Sequence, residues 1–125
     1  MSKVLKSQRL SFTNLDFYEN YVVSKMDEGI VFDKELSQIM IEVCLEFFNG
    51  NSFIYIANRV NHYNVDPTIY LNLGNYETFK GIAIVDKTAS KVNLAAFEKN
   101  FTSYPFEIFD NLNDAMKWAD DLIKK

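Results

Sequence analysis

The apolar residues at the start of the chain follow the two-residue period of β-strands. Residues 8–14 alternate between apolar and polar side chains, and residues 20–26 contain a β-branched run. Residues 14–16, which include Asn and Asp, lie between these segments and predict a turn. We therefore expect an antiparallel amino-terminal hairpin, preceded by a flexible tail over residues 1–7.

Residues 33–48 change to the period of an amphipathic helix. Asp33 precedes the first turn as an N-cap, and Gly50 follows the last turn as a stop signal. The apolar stripe predicted to be buried consists of Leu36, Ile39, Met40, Val43, Cys44 and Phe47. We expect this helix to be the main packing layer.

Two continuously apolar segments, residues 53–57 and 81–85, have the pattern of central strands that are covered on both faces. Between them, Asp66 and Pro67 predict the start of a second helix, because proline at the first helical position gives up no hydrogen bond. A third helix is predicted over residues 89–100, with Leu94, Phe97 and Phe101 on one face.

A short edge strand and a last helix are predicted at the end of the chain. Residues 105–109 begin with a proline, which is tolerated at an edge. Asp110 or Asn111 caps the last helix. Its predicted buried positions are Leu112, Ala115, Met116, Ala119, Leu122 and Ile123. The chain therefore predicts one α/β domain over residues 1–125, with a mixed, mostly parallel sheet of four to five strands, the antiparallel hairpin and four helices.

Composition and charge exclude several classes of function. The 125 residues include 13 Lys and Arg against 17 Asp and Glu, and they contain no basic cluster of the kind that binds nucleic acid. Cys44 is the one cysteine and His62 the one histidine, so we expect no disulfide, no metal site and no cofactor. Without an apolar run long enough to span a membrane, a cytoplasmic protein is expected.

The most polar segment follows the first central strand, where open α/β sheets place their ligands. Its candidate site residues are Asn58, Arg59, Asn61, His62, Tyr63 and Asp66. Arg59 could hold an anionic group, and His62 could act as a base or a ligand. Alternatively, Arg59 pairs with a carboxylate and His62 is a solvated loop residue. Cys44 lies in the apolar stripe of the first helix, which favours a buried thiol over a nucleophile.

The chain also has more aromatic side chains than we expect one small core to hold. The residues in question are Phe17, Tyr18, Tyr21, Tyr63, Tyr70, Tyr76, Phe79, Tyr104 and Phe106. Some of them are predicted to form an exposed surface for a protein partner or for self-association. Alternatively, they line a pocket for a small apolar molecule or a lipid, or they are scattered singly over the surface.

The order of elements, together with several segments, resembles the STAS or SpoIIAA-like superfamily over about residues 18–123. The similar pieces are the turn at Gly29 and Ile30 before a long helix, the strands at 53–57 and 81–85, and Phe109-Asp110-Asn111 followed by Ala115 and Trp118. This superfamily includes the anti-sigma factor antagonists and the short STAS/SEC14-type single-domain proteins common in Bacteroidota.

In the anti-sigma factor antagonists, a serine at a helix start in an Asp-Ser-Ser-Gly motif is phosphorylated by a partner kinase. The similar position here is Asp66-Pro67-Thr68-Ile69, in which proline replaces that serine and Thr68 is the remaining hydroxyl. The resemblance therefore implies Thr68 as a candidate phosphorylation site, where a helix amino terminus would favour a phosphate.

Two functional hypotheses follow. The first is a non-catalytic cytoplasmic regulatory or protein-interaction module, because the sequence contains no catalytic constellation. The alternative is a small-molecule or lipid carrier with an aromatic-lined pocket. An enzyme that uses Arg59 and His62 is a weaker third hypothesis.

Overall fold

A six-stranded mixed sheet organises the molecule in the computed structural model, which describes residues 3–87 and 95–124, with residues 72–75 described by their backbone alone. The strands are β1 (Lys6–Arg9), β2 (Thr13–Phe17), β3 (Tyr21–Met26), β4 (Val31–Phe32), β5 (Phe53–Asn58), β6 (Asn64–Val65), β7 (Phe79–Val85) and β8 (Phe106–Phe109). The helices are α1 (Lys34–Phe48), α2 (Leu112–Lys124) and the 3-10 helices Pro67–Asn75 and Lys99–Phe101.

The order of strands in the sheet is β1-β2-β3-β5-β7-β8. The first three strands are antiparallel, whereas β3, β5, β7 and β8 pair in parallel. A separate two-stranded parallel sheet joins β4 to β6. The predicted mixed, mostly parallel sheet is therefore confirmed, with six strands in place of four to five. The edge position of β8 agrees with the predicted edge strand.

The amino-terminal hairpin is a three-stranded meander, so the turn predicted at residues 14–16 is wrong. These residues lie within β2, where Leu15 and Phe17 are buried and alternate with Asn14 and Asp16. Strand pairing satisfies the backbone hydrogen bonds of these residues, and the alternation buries the apolar side chains. Together these effects outweigh the turn preference of Asn and Asp. Lys6 and Ser7 of the predicted tail pair with β2.

Helix α1 covers one face of the sheet. The Asp33 side chain accepts a hydrogen bond from the Leu36 N–H at 3.1 Å, as the sequence predicts. The helix ends at Phe48, and its C-cap Asn49, with a left-handed φ of 46°, is followed directly by the predicted stop, Gly50, whose φ is 91°.

The buried stripe of α1 is rotated from the predicted one. Met40, Ile41, Cys44 and Phe48 are buried, while Ile39 is 43% exposed. The Phe48 ring stacks on Phe53 of β5 at 4.4 Å, and this contact turns that side of the helix toward the sheet. The sequence identifies the helix correctly, but the sheet selects its buried face.

The aromatic residues pack inside, contrary to the prediction of an exposed aromatic surface. Six of the nine are buried and the other three, Tyr63, Tyr76 and Tyr104, are half-buried. They fit because both faces of the sheet carry a core, one under α1 and one under α2. Rings also stack on one another, as Phe17 does on Phe47 at 4.3 Å.

The second predicted helix begins at Pro67 but is a 3-10 helix. Of the third predicted helix, residues 88–94 lie outside the described residues, residues 95–98 are helical, and Lys99–Phe101 is a 3-10 turn. Phe97, which the sequence places on the buried face of this helix, is 56% exposed.

Asn111 caps α2 by accepting a hydrogen bond from the Asp114 N–H at 2.9 Å. No helix in the described parts of the chain has the length and hydrophobicity to cross a membrane.

Candidate functional site

The candidate segment lies at the carboxyl ends of the central parallel strands. Asn58 ends β5, and the next residue, Arg59, donates its N–H to the Val85 carbonyl at the end of β7, at 2.9 Å. The carboxyl ends of parallel strands are the edge at which open α/β sheets place ligands and partners. We call this edge, with residues 58–68 and the facing residues 97–98, the carboxyl edge.

Short contacts to the turn before α1 hold the segment in place. The Asn61 side-chain amide donates to the Met26 carbonyl at 2.9 Å. The His62 N–H donates to the Glu28 carboxylate at 3.1 Å, and the His62 carbonyl accepts from the Gly29 N–H at 2.7 Å. Asn61 and His62 are therefore structural through these bonds. In the described part of the chain, no side chain hydrogen-bonds to the His62 imidazole, which is exposed.

A buried ion pair lies at the centre of the edge. Arg59 donates two hydrogen bonds to the two carboxylate oxygens of Glu98, at 2.7 and 2.6 Å, and the two side chains are 8% and 6% exposed. Arg59 Nε also donates to the Tyr63 hydroxyl at 3.2 Å, and the Tyr70 hydroxyl donates to Glu98 Oε1 at 2.6 Å. We call Arg59, Tyr63, Tyr70 and Glu98 the buried network.

The network keeps its charges balanced inside the protein. Burial disfavours the charged guanidinium, but the bonds with Glu98 outweigh it, so the pKa of Arg59 is raised. Burial raises the pKa of the Tyr70 hydroxyl well above its ordinary value, and the Glu98 carboxylate adds to this effect. Arg59 therefore neutralises an internal carboxylate, which is the alternative that the sequence left open, and its charge is not free for an external anion.

A second buried hydrogen bond lies beneath the network. The hydroxyls of Ser24 and Tyr55 are 2.7 Å apart. Burial raises the pKa of Tyr55 well above its ordinary value, and Tyr63 and Arg59 are close enough to influence it electrostatically. These two residues connect the carboxyl edge to the middle of the sheet.

Four of these residues were missed in the sequence: Ser24, Tyr55, Tyr70 and Glu98. For Glu98 a signal was present, since it lies four residues after Leu94 and one after Phe97, on the predicted buried face of a helix. A carboxylate at such a position requires a cationic partner. The observed burial of Glu98 and exposure of Phe97 show that this face is turned by about one residue position from the prediction.

Asp66 and Thr68 form a separate capping unit. The Asp66 carboxylate accepts from the Thr68 N–H at 3.0 Å and from its hydroxyl at 2.7 Å. These bonds lower the pKa of Asp66. The structure thus brings Arg59 and Tyr63 together in the network, while Asp66 fixes the start of the 3-10 helix, and Thr68 remains exposed.

A small pocket opens beside the network. Its volume is about 190 Å³, and it is lined by Arg59, Tyr63, Asn64, Val65, Pro67, Phe97 and Glu98. Three residues next in sequence to members of the network have exposed apolar side chains: Val60, Leu71 and Phe97 are 60%, 64% and 56% exposed. The buried charges are thus internally paired, and the surface above them is partly apolar.

Metal or thiol chemistry has no support among the described residues. No three His, Cys, Asp or Glu side chains are grouped there so that they could hold a metal ion. Cys44 is buried under α1, and burial raises the pKa of its thiol to about 12. A thiol with that pKa is inert at neutral pH.

Comparison with known proteins supports the fold. No family model and no curated protein matches the chain. Among solved structures, an uncharacterized protein from the DUF3478 family with a SpoIIAA-like fold, from Shewanella loihica PV-4, is similar, with a TM-score of 0.57 and 16% identity over 95% of each chain. The resemblance predicted from the order of elements is confirmed at the level of the fold: the chain has a SpoIIAA-like fold.

Proposed function

We propose that the protein is a non-catalytic regulatory module that binds a protein partner at the carboxyl edge. The observation that carries this proposal is the buried network: Arg59, the one strong cation of the candidate segment, already neutralises Glu98. Because this pair is nearly sealed from water, substituting an external anion for Glu98 would leave a buried carboxylate unpaired, at a high cost in free energy.

The surface around the network supports a macromolecular partner. Val60, Leu71 and Phe97 are large apolar side chains that are more than half exposed. Aromatic and aliphatic side chains of this kind bury area at protein interfaces, and the polar groups around them provide a rim. The backbone beneath is held by the contacts to residues 26–32, so the surface is preorganised.

A carrier for small apolar molecules is less well supported. The pocket beside Phe97 measures about 190 Å³. A second pocket, of about 340 Å³ at β1 and β2, is lined mainly by polar and charged residues, among them Arg9, Asp16 and Lys25, and does not suit an apolar ligand. Pockets that bind drug-sized ligands occupy roughly 300–1,000 Å³. The carrier hypothesis predicts a retained ligand in native mass spectrometry of freshly purified protein, whereas our proposal predicts the mass of the chain alone.

The proposal includes a role for Thr68 and a cytoplasmic location. Thr68 is exposed at the start of a 3-10 helix, and its hydroxyl is bonded to Asp66. A phosphate there would face the Asp66 carboxylate, break this bond and loosen the first turn.

The cytoplasmic location rests on the single cysteine. Cys44 is a buried free thiol, which suits a reducing compartment.

The interaction surface is tested by affinity capture from an extract of the native cells, with quantification by mass spectrometry. Phe97→Asp places a charge in the proposed interface, and Ile39→Asp places the same charge on the exposed side of α1. We expect Phe97→Asp to lose the proteins captured by the unmodified chain and Ile39→Asp to retain them. Equal capture by both variants, or turnover of a metabolite by the purified protein, would contradict the proposal.

The Thr68 role is tested separately by incubating the protein with extract and ATP and mapping phosphate by mass spectrometry. We expect phosphate on Thr68 and none on the exposed Ser103. Absence of label on Thr68 would remove this part of the proposal and leave the interaction surface untouched.

A further inference from the structure

The outermost strand of the sheet, β1, has backbone groups that point away from the protein. The Leu10 N–H donates to the Thr13 carbonyl at 2.9 Å, which continues the β1–β2 register beyond the strand. Hydrogen-bonded and non-bonded pairs alternate in an antiparallel ladder. Lys6 and Gln8, at even spacing from Leu10, therefore bond to β2, while the N–H and C=O groups of Ser7 and Arg9 face outward.

The charged side chains of this edge are all cationic. Lys3, Lys6 and Arg9 lie within seven residues that contain no Asp or Glu, in a chain with a net charge of −4. All three are exposed. Arg9 pairs with Asp27, donating to it at 2.8 Å, but in the described part of the chain no carboxylate forms a salt bridge with Lys6. The edge therefore retains positive charge.

The two faces of the edge differ in charge. The register pairs Lys6 with Phe17, so the Lys6 side chain lies on the face that α1 covers further along the sheet. The opposite face carries Ser7, whose hydroxyl donates to Asp16 at 2.7 Å, and the Arg9–Asp27 pair. An added strand would meet a free cation on the first face and already paired charges on the second.

From this geometry we propose that β1 binds an extended acidic segment of another protein, which adds to the sheet as a seventh strand. Main-chain hydrogen bonds to Ser7 and Arg9 provide the docking, and carboxylates at alternate positions face Lys6. A second copy of this chain fits less well, because pairing β1 with β1 would bring two sets of Lys3, Lys6 and Arg9 to one seam. This surface is separate from the carboxyl edge.

The test uses a capped heptapeptide of alternating threonine and glutamate, titrated into the labelled full chain at low salt and followed by amide NMR shifts. We expect shifts at Ser7 and Arg9, and no binding of the threonine–lysine counterpart. Lys6→Glu should weaken binding by about tenfold, since it replaces attraction with repulsion, whereas Lys34→Glu on α1 has the same charge change and should not.

A second pair of variants isolates the backbone contribution. Ser7→Pro and Ser7→Ala both remove the hydroxyl bond to Asp16, but only proline also removes the outward N–H. Because that N–H is outside the β1–β2 ladder, the strand should persist with proline, as checked by the retained protection of the Gln8 amide. We expect Ser7→Ala to bind the peptide and Ser7→Pro to lose it.

Several results would overturn the proposal: equal binding of the lysine peptide, shifts confined to other surfaces, equal binding by the two Ser7 variants, or no shift at millimolar peptide. Self-association of the chain that Ser7→Pro abolishes would also overturn it, because the occupant of the edge would then be a second copy. None of these results bears on capture through Phe97.

Discussion

The charged side chains of Arg59 and Glu98 are almost completely shielded from water, so each needs the other to balance its charge. Tyr63 and Tyr70 each add one hydrogen bond to the pair. The partnership joins the end of β5 to residues that follow 39 positions later in the chain. It therefore fixes the carboxyl edge.

Removing one member of this pair should destabilise the fold strongly. Arg59→Met leaves the Glu98 carboxylate buried without its cation, which we expect to lower the free energy of unfolding by about 3–5 kcal/mol. Arg9→Met provides the control, because Arg9 forms an ion pair with Asp27 that water screens at the surface. Urea unfolding at neutral pH measures both. Similar midpoints for the two variants would contradict a structural role for the network.

The buried hydroxyls and the thiol predict loss of stability in alkali. Burial raises the pKa of Tyr55 and Tyr70 above 10.0 and that of Cys44 from 9.0 to about 12. The unfolded chain therefore loses these protons first, so the stabilisation is complete below about pH 9 and declines as the pH rises further. Urea unfolding between pH 7.5 and 11 measures the decline.

A matched pair of variants shows which buried group causes the alkaline loss of stability. Cys44→Ala removes one raised pKa from the native state and should flatten the pH dependence above pH 9. Burial also raises the pKa of Tyr104, but this side chain is less buried than Cys44, so Tyr104→Phe should flatten the pH dependence less. An unfolding free energy that stays constant from pH 7.5 to 11 in the unmodified protein would contradict the burial of these groups.

At the scale of elements, the sequence predicts the existence of helices and strands better than their orientation. The apolar period identifies α1, and Asp33 caps it as expected. The period alone cannot decide between neighbouring faces, since Ile39 and Ile41 are equally apolar. The packing of Phe48 against Phe53 turns the face that also carries Ile41 toward the sheet. The turn predicted within β2 fails similarly, because strand pairing is a contact between distant residues.

The contact between β7 and α2 requires a glycine. A Cβ at Gly81 would lie 3.1 Å from Ile54 Cδ1, 3.1 Å from Leu122 Cδ2 and 3.3 Å from the Pro105 carbonyl oxygen. Gly81→Ala should therefore lower the free energy of unfolding by about 1–3 kcal/mol, although alanine suits a strand better than glycine does. Thermal or urea unfolding of the purified variant checks this expectation.

A double-mutant cycle shows whether this crowding is the cause. Leu122→Ala removes one of the crowding methyl groups, so the two changes together should cost less than the sum of their separate costs. Additive costs, or a Gly81→Ala variant as stable as the unmodified protein, would show that α2 does not approach β7 so closely.

At the scale of the whole molecule, the order of strands and helices is what could be predicted. Continuous apolar segments identified β5 and β7, and their crossovers implied a parallel sheet. The number of aromatic residues was misleading, because a sheet covered on both faces holds two cores. Within the candidate segment, the sequence leaves open the pairing of Arg59 with a carboxylate, whereas Glu98 and Tyr70 become its neighbours only through the fold.

The central claim is that a protein partner binds the carboxyl edge above the buried network. Amide hydrogen exchange, read by mass spectrometry on the free protein and on the complex captured with the unmodified chain, tests it most directly. The account predicts slower exchange in the complex at residues 59–71 and around Phe97, with residues 34–48 of α1 unchanged. Slower exchange confined to α1 or α2, with the carboxyl edge unchanged, would contradict it.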